Sequence, residues 1–269
     1  MADKRRFLIS IHKFFSFFGI QLLDLFRNIT GIFWYLRDFV KLYHQQRHSA
    51  LFKIKSVYPV LTDKFDDAGV MHGHYFHMDL VVAQEIFHKN PDMHIDIGSR
   101  IDGFVAHVAS YRKLTIIDIR TIESKIDNIQ FVKADLIGNL PKDLINSTSS
   151  LSCLHALEHF GLGRYGDPIE INGHIKGFVN MTKILKKNGL FYFAVPISHK
   201  QRIVFNAHRV FSIDYLCKYL FKDVFHIENF YYVDDLGNLN KPHLDIMNDE
   251  FLRSYNCHYG CGIFVLRKL

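Results

Sequence analysis

Three short apolar runs follow one another, each with an aspartate at or next to its end. The first is His94-Ile95-Asp96-Ile97, which turns through Gly98-Ser99-Arg100-Ile101-Asp102-Gly103. The second, Leu114-Thr115-Ile116-Ile117, ends in Asp118, and the third, Phe131-Val132-Lys133-Ala134, ends in Asp135. Runs of this length separated by crossover-sized segments predict parallel strands of an α/β sheet. Acids at three successive strand ends suit a nucleoside-type cofactor lying across the carboxyl edge. There the first turn approaches through backbone, and the second acid accepts from ribose hydroxyls.

The remaining chain extends that pattern. Strands are predicted near 93–97, 114–119, 129–133, 149–154, 190–195, 226–233 and 262–266, with helices over Leu80–His88, Ile171–Leu185 and Ser212–Leu220. The expected order is βαβαβαβαβαββ, a Rossmann-like, doubly wound, seven-stranded sheet. Before it, residues 7–48 carry Phe14, Phe15, Phe18, Leu22, Leu25, Phe26, Ile29, Phe33, Leu36 and Val40 at three- and four-residue steps, the mark of one or two amphipathic helices. Gly19 and Gly31 are expected to break them. The domains are then a helical N-terminal extension, 1–56, and a catalytic domain, 57–269.

With 48% hydrophobic residues among 269, the chain can fill a core, which excludes disorder. The net charge of +6 suits an anionic substrate or membrane surface, but no basic run is long enough for a nucleic-acid arm. No cleavage site follows the basic Lys4-Arg5-Arg6 start, and no charge-free span of about 20 residues exists. A cytoplasmic protein is expected, with residues 7–48 serving either peripheral contact at the inner membrane face or a homo-oligomer. The four scattered cysteines read as reduced thiols.

Dinucleotide enzymes share the strand–turn–helix opening but favour G-x-G-x-x-G, and here Arg100 stands at the second glycine position. S-adenosylmethionine has no phosphate to cradle and tolerates the looser turn. The segment Leu185-Lys186-Lys187-Asn188-Gly189 through Pro196, and His155-Ala156-Leu157-Glu158-His159 after the fourth strand, resemble elements of class I S-adenosylmethionine-dependent methyltransferases. The runs Gly73–His77, Asp96–Val105, His155–Pro168 and Phe205–Phe211 resemble, more narrowly, a methyltransferase-like family catalogued as a domain of unknown function. It is often met in bacterial surface-polysaccharide loci, and the resemblance spans about residues 57–265.

The resemblance implies S-adenosylmethionine as cofactor and S-adenosylhomocysteine as product. It implies transfer to a hydroxyl or amine of a sugar or other small polar or sugar-linked acceptor, in capsule or O-antigen biosynthesis. Expected cofactor contacts are Asp96, Gly98, Ser99, Arg100, Asp118, Ile119, Arg120, Ala134, Asp135, Leu136 and His155. Expected acceptor contacts are Tyr75, His77, Arg164, Tyr165, Asn206, His208 and Arg209, the two loop arginines suiting a phosphate or carboxylate. His155 is the first candidate for the base, with Glu158, His159 and His208 in reserve.

Two metal patterns compete for these residues. His155-Ala156-Leu157-Glu158-His159 matches H-x-x-E-H, but that motif needs a helix and these residues follow a strand. Cys257-His258-Tyr259-Gly260-Cys261 has no second pair at zinc spacing and reads as the turn into the last strand. No metal is expected. Rival functions are a non-catalytic binding or scaffold protein on the same fold and an NAD(P)-dependent sugar oxidoreductase, although the Tyr-x-x-x-Lys pair common in the latter is missing after strand four.

Overall fold

A computed structural model describes residues 14–19, 21–48, 51–123, 125–246 and 248–269. Residues 7–13 of the expected N-terminal helices lie outside the described set. The chain divides into two compact units, Met1–Val70 and Met71–Leu269.

In the first unit, α1 (Leu22–Gln45) runs 24 residues through Gly31 without a break. A Cβ at Gly31 would collide with Leu61, so the glycine serves close packing and leaves the helix intact. Gly19, at φ +77°, does turn the chain before α1. Leu25, Phe26, Ile29, Phe33 and Leu36 are all more than half exposed along α1. No helix among the described residues is long and apolar enough to cross a membrane.

The second unit is built on one sheet. Its strands are β1 (His94–Ile97), β2 (Leu114–Asp118), β3 (Ile129–Lys133), β4 (Thr148–Leu154), β5 (Leu185–Ile197), β8 (Phe225–Val233), β9 (Leu239–Asn240) and β10 (Gly260–Lys268). They lie in the order β3-β2-β1-β4-β5-β10-β8-β9. The first five are parallel, and β10 runs antiparallel between β5 and β8. The sheet has eight strands where seven were expected. The extra strand, β9, returns from β8 through a tight turn in which the Asp234 carboxylate accepts from the Leu236 and Asn238 amides and Gly237 takes φ +85°. A separate ribbon joins β6 (Arg202–Val204) to β7 (His208–Val210).

Helices are fewer than the expected alternation. α2 (His74–Lys89) precedes β1. A π-helical turn, Ile101–Val105, and α3 (Ala106–Ala109) follow it. α4 (Gly173–Ile184) leads into β5, α5 (Ile213–Tyr215) continues as a π-helical turn, Leu216–Phe221, and α6 (Asp249–Leu252) precedes β10. Among the described residues, the connections β2–β3 and β3–β4 hold only a 3-10 turn, Lys142–Leu144, which Pro141 opens. The expected N-cap at Ser212 is present, its hydroxyl accepting from the Tyr215 amide.

Both faces of the sheet are covered, and β5 shows how. Phe191, Phe193 and Val195 face the side closed by Phe178, Met181 and Ile184 of α4. Leu190, Tyr192 and Ala194 face the side closed by Met78, Val82 and Ile86 of α2 and by Phe104 and Val108. Each fully buried side chain of this size contributes about 1.5–3 kcal/mol. One polar thread crosses the second face. Ser150 donates to His94 Nδ1 at 2.8 Å, His94 Nε2 donates to Ser152 at 2.8 Å, and Ser152 donates to Asp96. Complete burial pushes the His94 pKa down to about 3, so the ring is neutral and satisfied.

Candidate functional site

The five parallel strands end at one edge, and a cleft opens there in two adjoining lobes. The inner lobe, of about 590 Å³, lies over β1–β3. Its walls include Gly98, Asp118, Ile119, Ala134, Asp135 and Leu136. Gly98 holds φ +66° and donates to the Ile117 carbonyl at 3.0 Å. A Cβ there would come within 3.1 Å of Ala156, so the close backbone approach needs glycine. Asp118 is held by Arg120, which donates from Nη2 at 2.8 Å and from its backbone amide at 2.8 Å. The Arg120 guanidinium also lies 4.5 Å from the Tyr165 ring centroid. Asp135 accepts from the Ile137 amide at 2.8 Å.

Asp96 does not line either lobe, contrary to the expected contact. It is fully buried beneath the turn, accepting from the Ser99 amide at 3.1 Å, the Ser99 hydroxyl at 2.7 Å and Ser152. Burial raises its pKa to about 6 against the pull of those donors. Asp96 thus shapes the turn from below, through Ser99, which itself borders the outer lobe. Asp79 of α2 does the same from the other side, buried against Gly103 where a Cβ would strike its carboxylate. Sequence reading missed Asp79, since a lone acid in a helical pattern gives no signal.

The outer lobe, of about 990 Å³, shares Gly98, Arg120, His155, His159 and Tyr165 with the inner one. It adds Tyr75, Arg100, Glu158, Arg164, His208 and Tyr259. The Arg100 guanidinium lies 4.8 Å from the Tyr75 ring centroid. His77 and Asn206 line neither lobe. His77 sits two residues past Tyr75 on α2, which a helix turns to another side. Arg209 is also withdrawn from the expected acceptor role. It is buried and donates to the carbonyls of Glu158, Phe160 and Ile171, which fastens the loop after β4 to β7.

His155 caps β4 in the left-handed region, φ +51°, a position uncommon for a side chain of this size. Its Nδ1 is 3.1 Å from Glu158 Oε1 and its Nε2 is 3.1 Å from Cys261 Sγ. Burial opposes charge on this ring, but the Cys261 sulfur and the Glu158 carboxylate outweigh it and hold the pKa well above the ordinary value. Glu158 is itself buried, with Oε2 free of any hydrogen bond among the described residues. His159 donates from Nδ1 to the Ala207 carbonyl at 2.7 Å, and Arg164 donates to the same carbonyl at 2.8 Å. Burial lowers the His159 pKa. His208 packs 5.3 Å from the Tyr259 ring and 6.5 Å from His159. Its ring nitrogens carry no hydrogen bond among the described residues, and burial lowers its pKa.

Residues 107–269 match the model of the DUF268 family, described as a Caenorhabditis protein of unknown function. The chain belongs to that family. No protein of curated function matches the sequence. The fold is similar to that of the [4+2]-cyclase SpnF, at 12% identity and a TM-score of 0.51 over 74% of this chain and 88% of the cyclase. It is also similar to the Burkholderia thailandensis 1,6-didemethyltoxoflavin-N1-methyltransferase, solved with 1,6-didemethyltoxoflavin and S-adenosylhomocysteine (15%, TM-score 0.49, 86% of each chain). A third is the Bradyrhizobium japonicum N-methyltransferase NodS with S-adenosylhomocysteine (11%, TM-score 0.48, 84% of this chain and 97% of that one). At 12% identity the likeness to SpnF shows the fold alone.

Proposed function

We propose that this DUF268 protein is an S-adenosylmethionine-dependent methyltransferase acting on a hydroxyl or amine of a sugar or other small polar acceptor. The observation that carries the reading is the inner lobe. It places an acid at the end of β2, a Cβ-free turn after β1 and an apolar wall of Ile119, Ala134 and Leu136 around one nucleoside-sized space. Such a lobe fits an adenosyl group, with Asp118 for the ribose hydroxyls and Asp135 near the base. When bound, S-adenosylmethionine supplies an electrophilic methyl group. Arg120 must yield part of its hold on Asp118 for ribose hydroxyls to donate there.

The residues of the outer lobe receive the acceptor. Tyr75, Arg100, Arg164 and Tyr165 offer rings and cations suited to a polar, anionic or sugar-like group. The acceptor must lose one proton, and His208 is the group placed to take it. Its ring is neutral near physiological pH and uncommitted, whereas both nitrogens of His155 are engaged and its proton is held. Such a base contributes about 10²–10⁴-fold. The surface-polysaccharide setting rests on the sequence resemblance alone. The exposed apolar residues of α1, behind the basic start of the chain, support a cytoplasmic protein seated peripherally on the inner membrane face.

Thermal melts with S-adenosylhomocysteine and NAD(P)H side by side test the cofactor. At 100 times its dissociation constant, S-adenosylhomocysteine should stabilise the fold by about 2.7 kcal/mol. A shift with NAD(P)H alone would overturn the reading. For the N-terminal segment, full-length protein should sediment with anionic vesicles and a chain lacking residues 1–48 should not. A change of oligomeric state without vesicle binding would make α1 a subunit interface instead.

A further inference from the structure

The start of α2, the end of β4 and the start of β10 bring three metal-ligating side chains to one spot, and the transfer outlined above uses none of them for chemistry. We propose that His74, His155 and Cys261 form a zinc site. The proposal stands whether or not the protein transfers methyl groups.

The donor atoms of the three residues all lie within 4.8 Å of one another, and His155 Nε2 is 3.1 Å from Cys261 Sγ. Zinc bonds of about 2.0–2.3 Å set tetrahedral ligand atoms roughly 3.3–3.8 Å apart, so closure requires shifts of about an ångström. Two imidazoles and a thiolate are a borderline-soft set, suited to Zn²⁺ and unsuited to Mg²⁺ or Ca²⁺. Three protein ligands leave a fourth position, the arrangement of catalytic rather than structural zinc, and His155 borders the outer lobe.

Independent support comes from the groups behind the ligands. Glu158 Oε1 lies 3.1 Å from His155 Nδ1, where it accepts the ring proton and turns Nε2 toward Cys261 Sγ. A carboxylate behind a ligating histidine is the usual way a metal-bound imidazole is oriented. Glu158 is 1% exposed and its second oxygen has no hydrogen-bond partner among the described residues. Together with the Cys261 thiolate, the Glu158 carboxylate balances a divalent ion while both imidazoles stay neutral. His74 is stacked on Tyr259, with centroids 5.3 Å apart, and its helix start is tied down where the Gly73 amide donates to the Gly237 carbonyl at 2.9 Å. The left-handed backbone at His155 directs its ring toward β10, a strained conformation of the kind found at ligand sites. On binding, the protons held on Cys261 Sγ and on His155 Nε2 leave to solvent as Zn–S and Zn–N bonds take their places.

The full-length protein, stripped with a chelator, is titrated with Co²⁺ and followed by absorption. One equivalent should bind with an intense near-ultraviolet sulfur-to-cobalt band, and Zn²⁺ should displace it. The band should vanish in Cys261→Ser and persist in Cys257→Ser. Glu158→Gln should weaken Zn²⁺ binding about 10–100-fold, and His74→Ala at least as much. X-ray absorption of the zinc-loaded wild type needs no variant to fold, and should give one sulfur near 2.3 Å and nitrogens near 2.0–2.1 Å. A wild type with no sulfur-to-cobalt band and no sulfur in the zinc shell overturns the proposal. So does a band that survives Cys261→Ser and disappears in Cys257→Ser.

Discussion

The two lobes of the cleft are built on different plans. The inner lobe is made chiefly by consecutive strands: β1, β2 and β3 each deliver the residues at their carboxyl ends to the same edge, and the loop after β4 closes the remaining side. The outer lobe is made by side chains from six places along the sequence: α2, the turn after β1, the residues after β2, the loop after β4, β7 and the turn before β10. The inner lobe is therefore rigid to the extent that the sheet is. The outer lobe depends on braces, among them Arg209 on three carbonyls and Arg164 with His159 on the Ala207 carbonyl. A cofactor held by strand ends and an acceptor held by braced side chains can change independently, and that separation can be tested.

The largest expected effect belongs to the outer lobe. His208→Ala should lower turnover about 10²–10⁴-fold while S-adenosylhomocysteine affinity, measured by calorimetry, stays within a few-fold. Sugar nucleotides and amino alcohols are the acceptors to screen first. Loss of cofactor affinity in this variant would dissolve the distinction between the lobes. Next, Asp118→Ala should weaken S-adenosylhomocysteine binding by about 1.5–3 kcal/mol for each lost charge-assisted bond, and leave Co²⁺ uptake at His74, His155 and Cys261 unchanged. Gly98→Ala should lower stability by about 1–2 kcal/mol, because its φ of +66° is left-handed and Ala156 stands 3.1 Å from the added methyl. A thermal melt equal to wild type would show that the turn is not fixed.

The smallest effect is a displacement along the pH axis. Burial lowers the His208 pKa from the ordinary 6.5, so the neutral, proton-accepting form persists into mild acid. The acid limb of kcat/KM should accordingly fall below pH 6.5, activity being lost as pH drops through the His208 pKa and restored above it. A limb above pH 6.5 would assign the proton to another group.

The inner lobe was largely readable from sequence for the reason that makes it rigid. Strand ends repeat at intervals, so the positions of Gly98, Asp118, Ala134 and Asp135 follow from periodicity. Asp96 follows the same period yet falls beneath the turn, because a residue facing the sheet's second side meets Ser99 and Ser152 before it can meet the cleft. The outer lobe gave weaker signals. Arg209 looks like an anion clamp in a polar loop, but three carbonyls there take its guanidinium. Cys261 was visible only as half of a C-x₃-C pair. Its actual neighbour, His155, is 106 residues away and meets it because β10 lies beside β5. No local pattern encodes that adjacency.

The place of β10 has a consequence for how the molecule is made. This strand follows β8 in the chain but lies between β5 and β8 in the sheet. During vectorial synthesis, β1 to β5 can zip together as each emerges, leaving β5 an open edge. β8 then arrives and pairs with β9 on its outer side only, so its inner edge and that of β5 both wait for the strand that must slot between them. Unpaired edges invite pairing with other chains, so the nascent protein is most exposed to aggregation in the interval after β8 appears. Entry of β10 closes both edges in one event and carries Cys261 to His155 in the same step. Completion of the sheet and completion of the ligand cluster are thus a single act of folding.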